Sequence, residues 1–311
     1  MGDRTGIEWT DATWNPVTGC TKVSPGCDHC YAESIAHRFA GTPAYPNGFD
    51  ITLRPERLTQ PLRWTRPRRV FVNSMSDLFH KDVPEDFIDS VFGVMAANVA
   101  HTRPTHTFQL LTKRHGRLRS YLSAPDVRQR IALAAAQRTD EDHADRVHEF
   151  VLYGARMWPL PNVWVGVSVE DQARADLRIP ALLQTPAAVR FLSCEPLLAP
   201  VDLSRHLDPE RDCRCGVPAM EGAGQHAASC GCLTQPEIGW VIVGGESGPG
   251  ARPMQPEWAR QLRDQCTAAG VPFHFKQWGE WAPAPDVLQR VGKKAAGRLL
   301  DGRTWNEEPV R

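Results

Sequence analysis

The sequence lacks an excess of charge of either sign, since 36 Lys and Arg residues balance 36 Asp and Glu residues. Without a net positive charge, the chain has no general long-range attraction to nucleic acid or to an anionic membrane, so such binding requires a local patch. No apolar run approaches the roughly 20 residues that cross a bilayer. The first residues carry acids and no apolar signal segment, so we expect a cytoplasmic protein without a membrane partner.

One local basic patch lies between residues 54 and 69. It suits a solvated surface before a strand about as well as a phosphate contact. The patch contains Trp64 and the arginines Arg54, Arg57, Arg63, Arg66, Arg68 and Arg69.

Short apolar runs that end in polar groups recur along the chain and predict strands. Segments with helical periodicity lie between them, and this alternation predicts an α/β fold with parallel strands, either as an open doubly wound sheet or as a barrel. The predicted strands are 69–77, 107–114, 163–171, 189–196, 240–248 and 272–280, and the predicted helices lie within 84–100, 124–139, 171–185 and 255–270.

Polar groups follow each predicted strand, where the catalytic groups of a (β/α) barrel lie. We take Cys194, Glu195 and Lys276 as candidate catalytic residues. Cys194 is either a hydrogen-atom or proton donor or a small buried hydrophobic residue.

The nine cysteines fall mostly into two groups, which in a reducing compartment indicate metal ligands rather than disulfides. The first group is Cys20, Cys27 and Cys30, spaced C-x6-C-x2-C. A structural zinc ion needs a fourth ligand, and the nearest candidates, His29 and His37, are poorly placed. Three cysteines can instead bind three irons of a [4Fe-4S] cluster and leave the fourth iron open to S-adenosylmethionine. Buried or free thiols are the third alternative.

Several motifs together resemble the three-Cys-motif, radical-SAM-like proteins encoded by phages and prophages. The resemblance runs from Ile7 to about Trp281. It implies a parallel, partial TIM-type (β/α) barrel over residues 1–282. Its motifs are "TWNPVTGCTKVSPGCDHCYAE", "VFVNSMSDLF", "LLTKR", "WVGVSVE", "FLSCEPLL", "GWVIVGGESG" and "FKQWGEW". Two segments break the alternation of strands and helices: residues 205–237, which have no periodicity and hold four cysteines, are predicted to be a Cys-rich insertion, and residues 283–311 a C-terminal extension.

The resemblance also implies a [4Fe-4S] cluster and S-adenosylmethionine as cofactors, and an electron donor such as flavodoxin or ferredoxin. The substrate is left open, with a nucleotide or nucleic acid as the class that the phage context favours. Radical SAM proteins usually carry a C-x3-C-x2-C loop, so the first gap here is longer by three residues.

Position along the chain suggests which residues contact S-adenosylmethionine. Ser74, Ser76 and Asp77 are predicted to touch the methionine moiety, and Ser168 with Glu170 to meet the ribose. The Gly-Gly-Glu stretch that the wider family uses after its second strand here follows a late strand, as Gly244, Gly245 and Glu246. Its glycines either let the backbone approach a ligand or form a plain tight turn.

The second cysteine group predicts a further metal site, with zinc or a second cluster as the metal and an unstructured reduced loop as the alternative. Its candidate ligands are Cys213, Cys215, His226, Cys230 and Cys232.

The leading hypothesis is a radical S-adenosylmethionine enzyme. The alternative is a zinc-stabilised nucleic-acid-binding protein without catalysis. A hydrolase that uses metal-bound water would need a cluster of His and carboxylate ligands that the sequence lacks.

Overall fold

The computed structural model describes residues 5–100, 104–207, 238–284 and 287–309. Helices and parallel strands alternate along the chain, which confirms the predicted α/β class. The strands are β1 Ala12–Trp14, β2 Val17–Thr18, β3 Thr52–Leu53, β4 Arg69–Val72, β5 Thr107–Thr112, β6 Val163–Ser168, β7 Val189–Cys194, β8 Ile238–Gly244, β9 Phe273–Gln277, β10 Trp281–Pro283 and β11 Leu288–Arg290. The α-helices are α1 Tyr31–Arg38, α2 Glu85–Ala100, α3 His115–Leu122, α4 Val127–Ala136, α5 Glu141–Tyr153, α6 Gln172–Leu183, α7 Ser204–Leu207, α8 Pro256–Ala269 and α9 Lys293–Ala296.

The main sheet has seven strands in the order β1-β4-β5-β6-β7-β8-β9. The order follows the chain without the reversal that defines a doubly wound sheet, so the topology is that of a partial (β/α) barrel. Two short antiparallel pairs, β2 with β3 and β10 with β11, accompany it.

All six predicted strands are present, and the four predicted helices correspond to α2, α4, α6 and α8. The strand β1, which has three residues and pairs in parallel with β4, was not predicted from the sequence. The helices α3 and α5 were not predicted either.

The chain forms two compact units. The first comprises residues 1–168, 185–189 and 248–250, and the second comprises residues 169–184, 190–247 and 251–311. In the first unit, Val163 and Val165 of β6 line a small cavity with Phe92 of α2, which shows that these strand residues face the helix. Because side chains alternate along a strand, Trp164, Gly166 and Ser168 face the other way.

The second unit contains β8, β9, α6, α8 and the C-terminal residues. The predicted extension packs on β9. The Trp305 ring lies 5.8 Å from the Phe273 ring, and the backbone amide of Phe275 donates to the Trp305 carbonyl at 3.0 Å. Leu300 in the same segment is fully buried.

The predicted insertion begins in α7, and its remainder lies outside the described residues. This holds for every candidate ligand of the second cysteine group: Cys213, Cys215, His226, Cys230 and Cys232. Within the described ranges, no helix has both the length and the apolar character of a membrane span.

Candidate functional site

Cys20 lies in the first unit on the stretch that follows β1 and β2. The preceding residue, Gly19, has a φ of +89°, and a Cβ atom there would lie 2.1 Å from the Asp50 carbonyl oxygen. Gly19 donates its amide to the Met75 carbonyl at 3.0 Å, and Cys20 donates to the Phe49 carbonyl at 3.1 Å. Only glycine fits this position, and the backbone of Cys20 is therefore fixed beside the segment that follows β4.

Cys27 and Cys30 flank the start of α1. Cys27 ends a short 3₁₀ helix, with its Sγ 3.9 Å from the Ser24 hydroxyl, and Cys30 is the N-cap residue of α1. Both thiols are partly exposed, as is that of Cys20.

The described residues include no group of three His, Cys, Asp or Glu side chains arranged to hold a single metal ion. They therefore form no closed zinc site of the kind considered with His29 or His37 as fourth ligand. The His29 ring lies against Gly250, where an added Cβ would approach its Nε2 to 3.1 Å.

The two predicted serine ligands after β4 bond within the protein. Ser74 exchanges hydrogen bonds with the Asn15 amide, at 3.2 Å from Nδ2 and 3.3 Å to Oδ1. Asn15 Oδ1 also accepts from the Met75 backbone at 2.9 Å. The Ser76 hydroxyl donates to the Val17 carbonyl at 2.8 Å. These contacts join the segment after β4 to the chain that leads to Cys20.

Asp77 is buried, and its carboxylate accepts four hydrogen bonds from within the first unit. Oδ1 accepts from the Phe79 backbone at 3.0 Å and from the Thr112 hydroxyl at 2.7 Å. Oδ2 accepts from the Lys113 backbone at 3.1 Å and from Arg114 Nη1 at 3.1 Å. Asp77, a predicted contact of the methionine moiety, thus connects the segments that follow β4 and β5.

Arg114 joins this carboxylate to a candidate metal ligand. Its Nη1 lies 3.4 Å from Cys20 Sγ as well as 3.1 Å from Asp77 Oδ2. Burial raises the pKa of the Cys20 thiol, and the Arg114 charge opposes that rise. The guanidinium favours the thiolate that a metal ligand requires.

The His80 ring contacts Thr21, the residue after Cys20. Its Nδ1 accepts a hydrogen bond from the Asp82 backbone at 3.2 Å, so its proton lies on Nε2, which donates to the Thr21 hydroxyl at 2.8 Å. Burial lowers the pKa of His80, and the Arg114 charge lowers it further. The ring is therefore neutral at pH 7 and positions the residue after Cys20.

Lys113 and Ser168 extend the polar edge to β6. Lys113 Nζ donates to the Ser168 hydroxyl at 3.2 Å, and Ser168 is 1% exposed. The carboxyl ends of β4, β5 and β6 in the first unit are thus linked by charged and hydroxyl groups, as expected for the active edge of parallel strands.

The second unit holds the other predicted contacts, starting with Glu170. Its Oε2 accepts from Arg178 Nη1 at 2.7 Å, and the two side chains are 0% and 4% exposed. Glu170, which was predicted to meet a ribose, forms a buried ion pair with Arg178 of α6.

Cys194 is fully buried at the end of β7. Burial raises the pKa of its thiol well above the usual value, and the nearby Cys266 and Glu170 raise it further. Burial also raises the pKa of Cys266 to about 12. Both thiols are therefore neutral, and Cys266 lies in the core as the helix pattern predicts.

Glu195 and Lys276, the other candidate catalytic residues, form an ion pair. Lys276 Nζ lies 2.6 Å from Glu195 Oε1, and the side chains are 13% and 18% exposed. A Cβ atom on Gly244 would lie 3.2 Å from the same carboxylate oxygen. The structure thus brings together these two residues at the ends of β7 and β9, and the missing side chain of Gly244 leaves room for them.

Gly245 and Glu246 have packing partners within the second unit. A Cβ atom on Gly245 would lie 1.9 Å from the Trp278 carbonyl oxygen. Glu246 pairs with Arg252, whose Nη2 and Nε lie 2.6 Å and 2.9 Å from its two oxygens. The close approach at this Gly-Gly-Glu stretch is to the protein's own backbone.

The basic patch is partly engaged within the first unit. Arg69 pairs with Asp11 at 2.9 Å, and the Arg68 guanidinium lies 5.3 Å from the centre of the Trp64 ring. Arg66 is exposed.

The comparisons with known proteins give one family. A family model described as "Protein of unknown function (DUF5131)" matches residues 4–309. The chain belongs to the DUF5131 family. Comparison with curated proteins gave no match, and comparison with solved structures gave none either. Since the family description states no activity, the chemistry must be argued from the residues of this DUF5131 member.

Three residues of the candidate site, Arg114, His80 and Asn73, were not predicted from the sequence. Asn73 directly follows β4, has a φ of 61° and is 3% exposed. Its side-chain nitrogen and oxygen have no hydrogen-bond partner among the described residues. Buried amides are nearly always satisfied, so this one indicates a polar contact supplied by a bound molecule or water. The only signal for it was an Asn at the end of an apolar run.

Proposed function

We propose that this protein is a radical S-adenosylmethionine enzyme whose [4Fe-4S] cluster is held by Cys20, Cys27 and Cys30. The observation that carries the proposal is the contact of Arg114 with both Cys20 and Asp77, at 3.4 Å and 3.1 Å. It ties the first of three partly exposed thiols to the carboxyl ends of parallel strands, which is where a (β/α) barrel performs its chemistry.

The residues present fit such a cluster in their donor set. A four-iron cluster takes one thiolate per iron, so its three cysteines need not converge on a single ion as zinc ligands do. When bound, the cluster and S-adenosylmethionine would supply radical chemistry for hydrogen-atom abstraction from the substrate, with the reducing electron coming from the electron donor. The unsatisfied Asn73 amide is a candidate contact for the small molecule, since it offers both a donor and an acceptor.

The protein's own residues position these groups. Asp77 and Arg114 hold the Cys20 stretch against the ends of β4 and β5, and Lys113 with Ser168 continues the polar edge. In the second unit, Glu195 and Lys276 offer a carboxylate and an ammonium for proton transfer or substrate binding. The resemblance to the phage-encoded family leads us to expect a nucleotide or a nucleic acid as the substrate.

The proposal includes a cytoplasmic location, because free thiol ligands need a reducing compartment. It also includes an electron donor such as flavodoxin or ferredoxin. The zinc-stabilised nucleic-acid-binding alternative has less support. Two of the arginines on which it depends, Arg68 and Arg69, are engaged with Trp64 and Asp11.

Anaerobic reconstitution tests the proposal. The wild-type protein should be brown, contain iron and sulfide, and convert S-adenosylmethionine to 5′-deoxyadenosine with dithionite. Separate Cys20→Ala, Cys27→Ala and Cys30→Ala variants should lose the iron and the product. Cys266→Ala, which removes a core thiol in the second unit, is the matched control and should keep both. A colourless wild-type protein that binds only zinc would overturn the proposal.

A further inference from the structure

The guanidinium of Arg114 is anchored from several sides. Its backbone amide donates to the Thr112 hydroxyl at 2.9 Å, directly at the end of β5. Its Nη2 donates to the carbonyl and the hydroxyl of Thr21, both at 3.0 Å, while Nη1 contacts Cys20 and Asp77. Arginine stays protonated in proteins, so the positive charge is permanent.

The partners of Arg114 are themselves held in place. Three further donors fix the Asp77 carboxylate, and the His80 ring fixes the Thr21 hydroxyl. Arg117 donates to the backbone carbonyls of His80 and of Val83, the latter at 2.7 Å. The guanidinium consequently stays beside the Cys20 sulfur, because swinging away would break its ion pair with the buried Asp77 carboxylate and its two hydrogen bonds to Thr21.

The surroundings of the other two thiols differ in kind. Cys27 Sγ has a neutral hydroxyl, that of Ser24, at 3.9 Å, and Cys30 lies at the start of α1, within electrostatic reach of the exposed Lys22 ammonium instead of a buried guanidinium. The three thiols are therefore electrostatically unequal.

Hydrogen bonds and positive charge at a cysteine ligand stabilise the more negative, reduced form of an iron-sulfur cluster. We propose that Arg114 is a positioning residue that sets the reduction potential of the cluster through Cys20, making the cluster easier to reduce. This inference rests on the proposed function, and it adds a residue outside the three cysteines that controls when the electron from the donor is accepted.

The test is an EPR-monitored redox titration of reconstituted protein under anaerobic conditions, with dithionite as the reductant. Arg114→Gln removes the charge and the fork-shaped donor. At a fixed ambient potential near the midpoint, we expect its ratio of reduced to oxidised cluster to fall about tenfold, which for one electron equals a shift of about 59 mV to more negative potential. Arg119→Gln, on the exposed side of α3, removes the same charge and should leave the midpoint unchanged.

Arg114→Lys keeps the charge but not the fork, so a smaller shift in the same direction is expected. If Arg114→Gln assembles no cluster, the midpoint potential of Arg114→Lys tests the inference in its place. A midpoint equal to that of the wild type in every variant that carries a cluster would overturn the inference while leaving the proposed function intact. A wild-type protein that assembles no cluster would instead overturn the proposed function.

Discussion

The carboxylate of Glu170 lies 2.7 Å from Nη1 of Arg178, and both side chains are almost fully buried in the second unit. Glu170 lies two residues after the end of β6 and was predicted as a ribose contact from that position. Its carboxylate charge is balanced inside the fold by the Arg178 guanidinium. Removing one partner of such a pair leaves an uncompensated buried charge, which costs more than the pair contributes.

We therefore expect Arg178→Met to lower the free energy of unfolding by about 3 to 5 kcal/mol. The double variant Glu170→Met with Arg178→Met should recover most of that loss, because no charge then stays buried. Chemical denaturation of the three proteins measures both values. Equal stability of Arg178→Met and the wild type would show that the pair is not a buried structural one.

Gly245 should tolerate no side chain, because a Cβ atom would lie 1.9 Å from the Trp278 carbonyl oxygen. Backbone must move to admit it, and we expect Gly245→Ala to cost about 3 kcal/mol of unfolding free energy. Gly116→Ala is the matched control, since a Cβ atom there has no neighbour within 4 Å and the residue lies in α3.

The control should be stabilised by about 0.5 kcal/mol through the better helix propensity of Ala. Thermal unfolding compares the two. A Gly245→Ala protein as stable as Gly116→Ala would restore the interpretation of Gly245 as a position kept open for a ligand.

His106 should make stability depend on pH. The residue is 1% exposed, and its Nε2 donates to the Pro61 carbonyl at 3.0 Å. Burial lowers the pKa of the ring below the value of about 6.5 that it has in an unfolded chain. The unfolded state then binds more protons between those two values, so the free energy of unfolding falls as the pH drops below about 6.5.

In His106→Gln this part of the pH dependence should disappear. Thermal midpoints at pH 7.5 and 5.5 measure it, with the exposed His37→Gln as the control that keeps the wild-type dependence. The same fall in stability for wild type and His106→Gln would contradict a neutral buried ring.

The strands could be predicted because each combines an apolar run with a polar end, as in Val163–Ser168. β1 escaped prediction because three residues give no periodicity. The site was harder, because a sequence shows which polar side chains end a strand but not what they already bind. The four donors to Asp77 include groups 35 to 37 positions away in the chain. For the same reason the pattern gave no indication that Arg114 reaches back to Cys20.

Substitution of Gly19 tests whether the backbone position of Cys20 is required for metal binding. Gly19 and Gly41 both have positive φ values, +89° and +81°, so alanine at either position carries a similar backbone strain. They differ in space, since a Cβ atom at Gly19 would meet the Asp50 carbonyl at 2.1 Å and one at Gly41 has no neighbour within 4 Å. Gly19→Ala should therefore displace Cys20 from Arg114.

Iron per chain after anaerobic reconstitution measures this displacement. We expect Gly41→Ala to bind as much iron as the wild type, with a loss of about 1 kcal/mol in stability. Gly19→Ala should lose most of its iron, because a cluster held by only two cysteines lacks one of the three thiolates it needs. Full iron content in Gly19→Ala, with the protein folded, would mean that the position of Cys20 seen here is not the one that binds a metal.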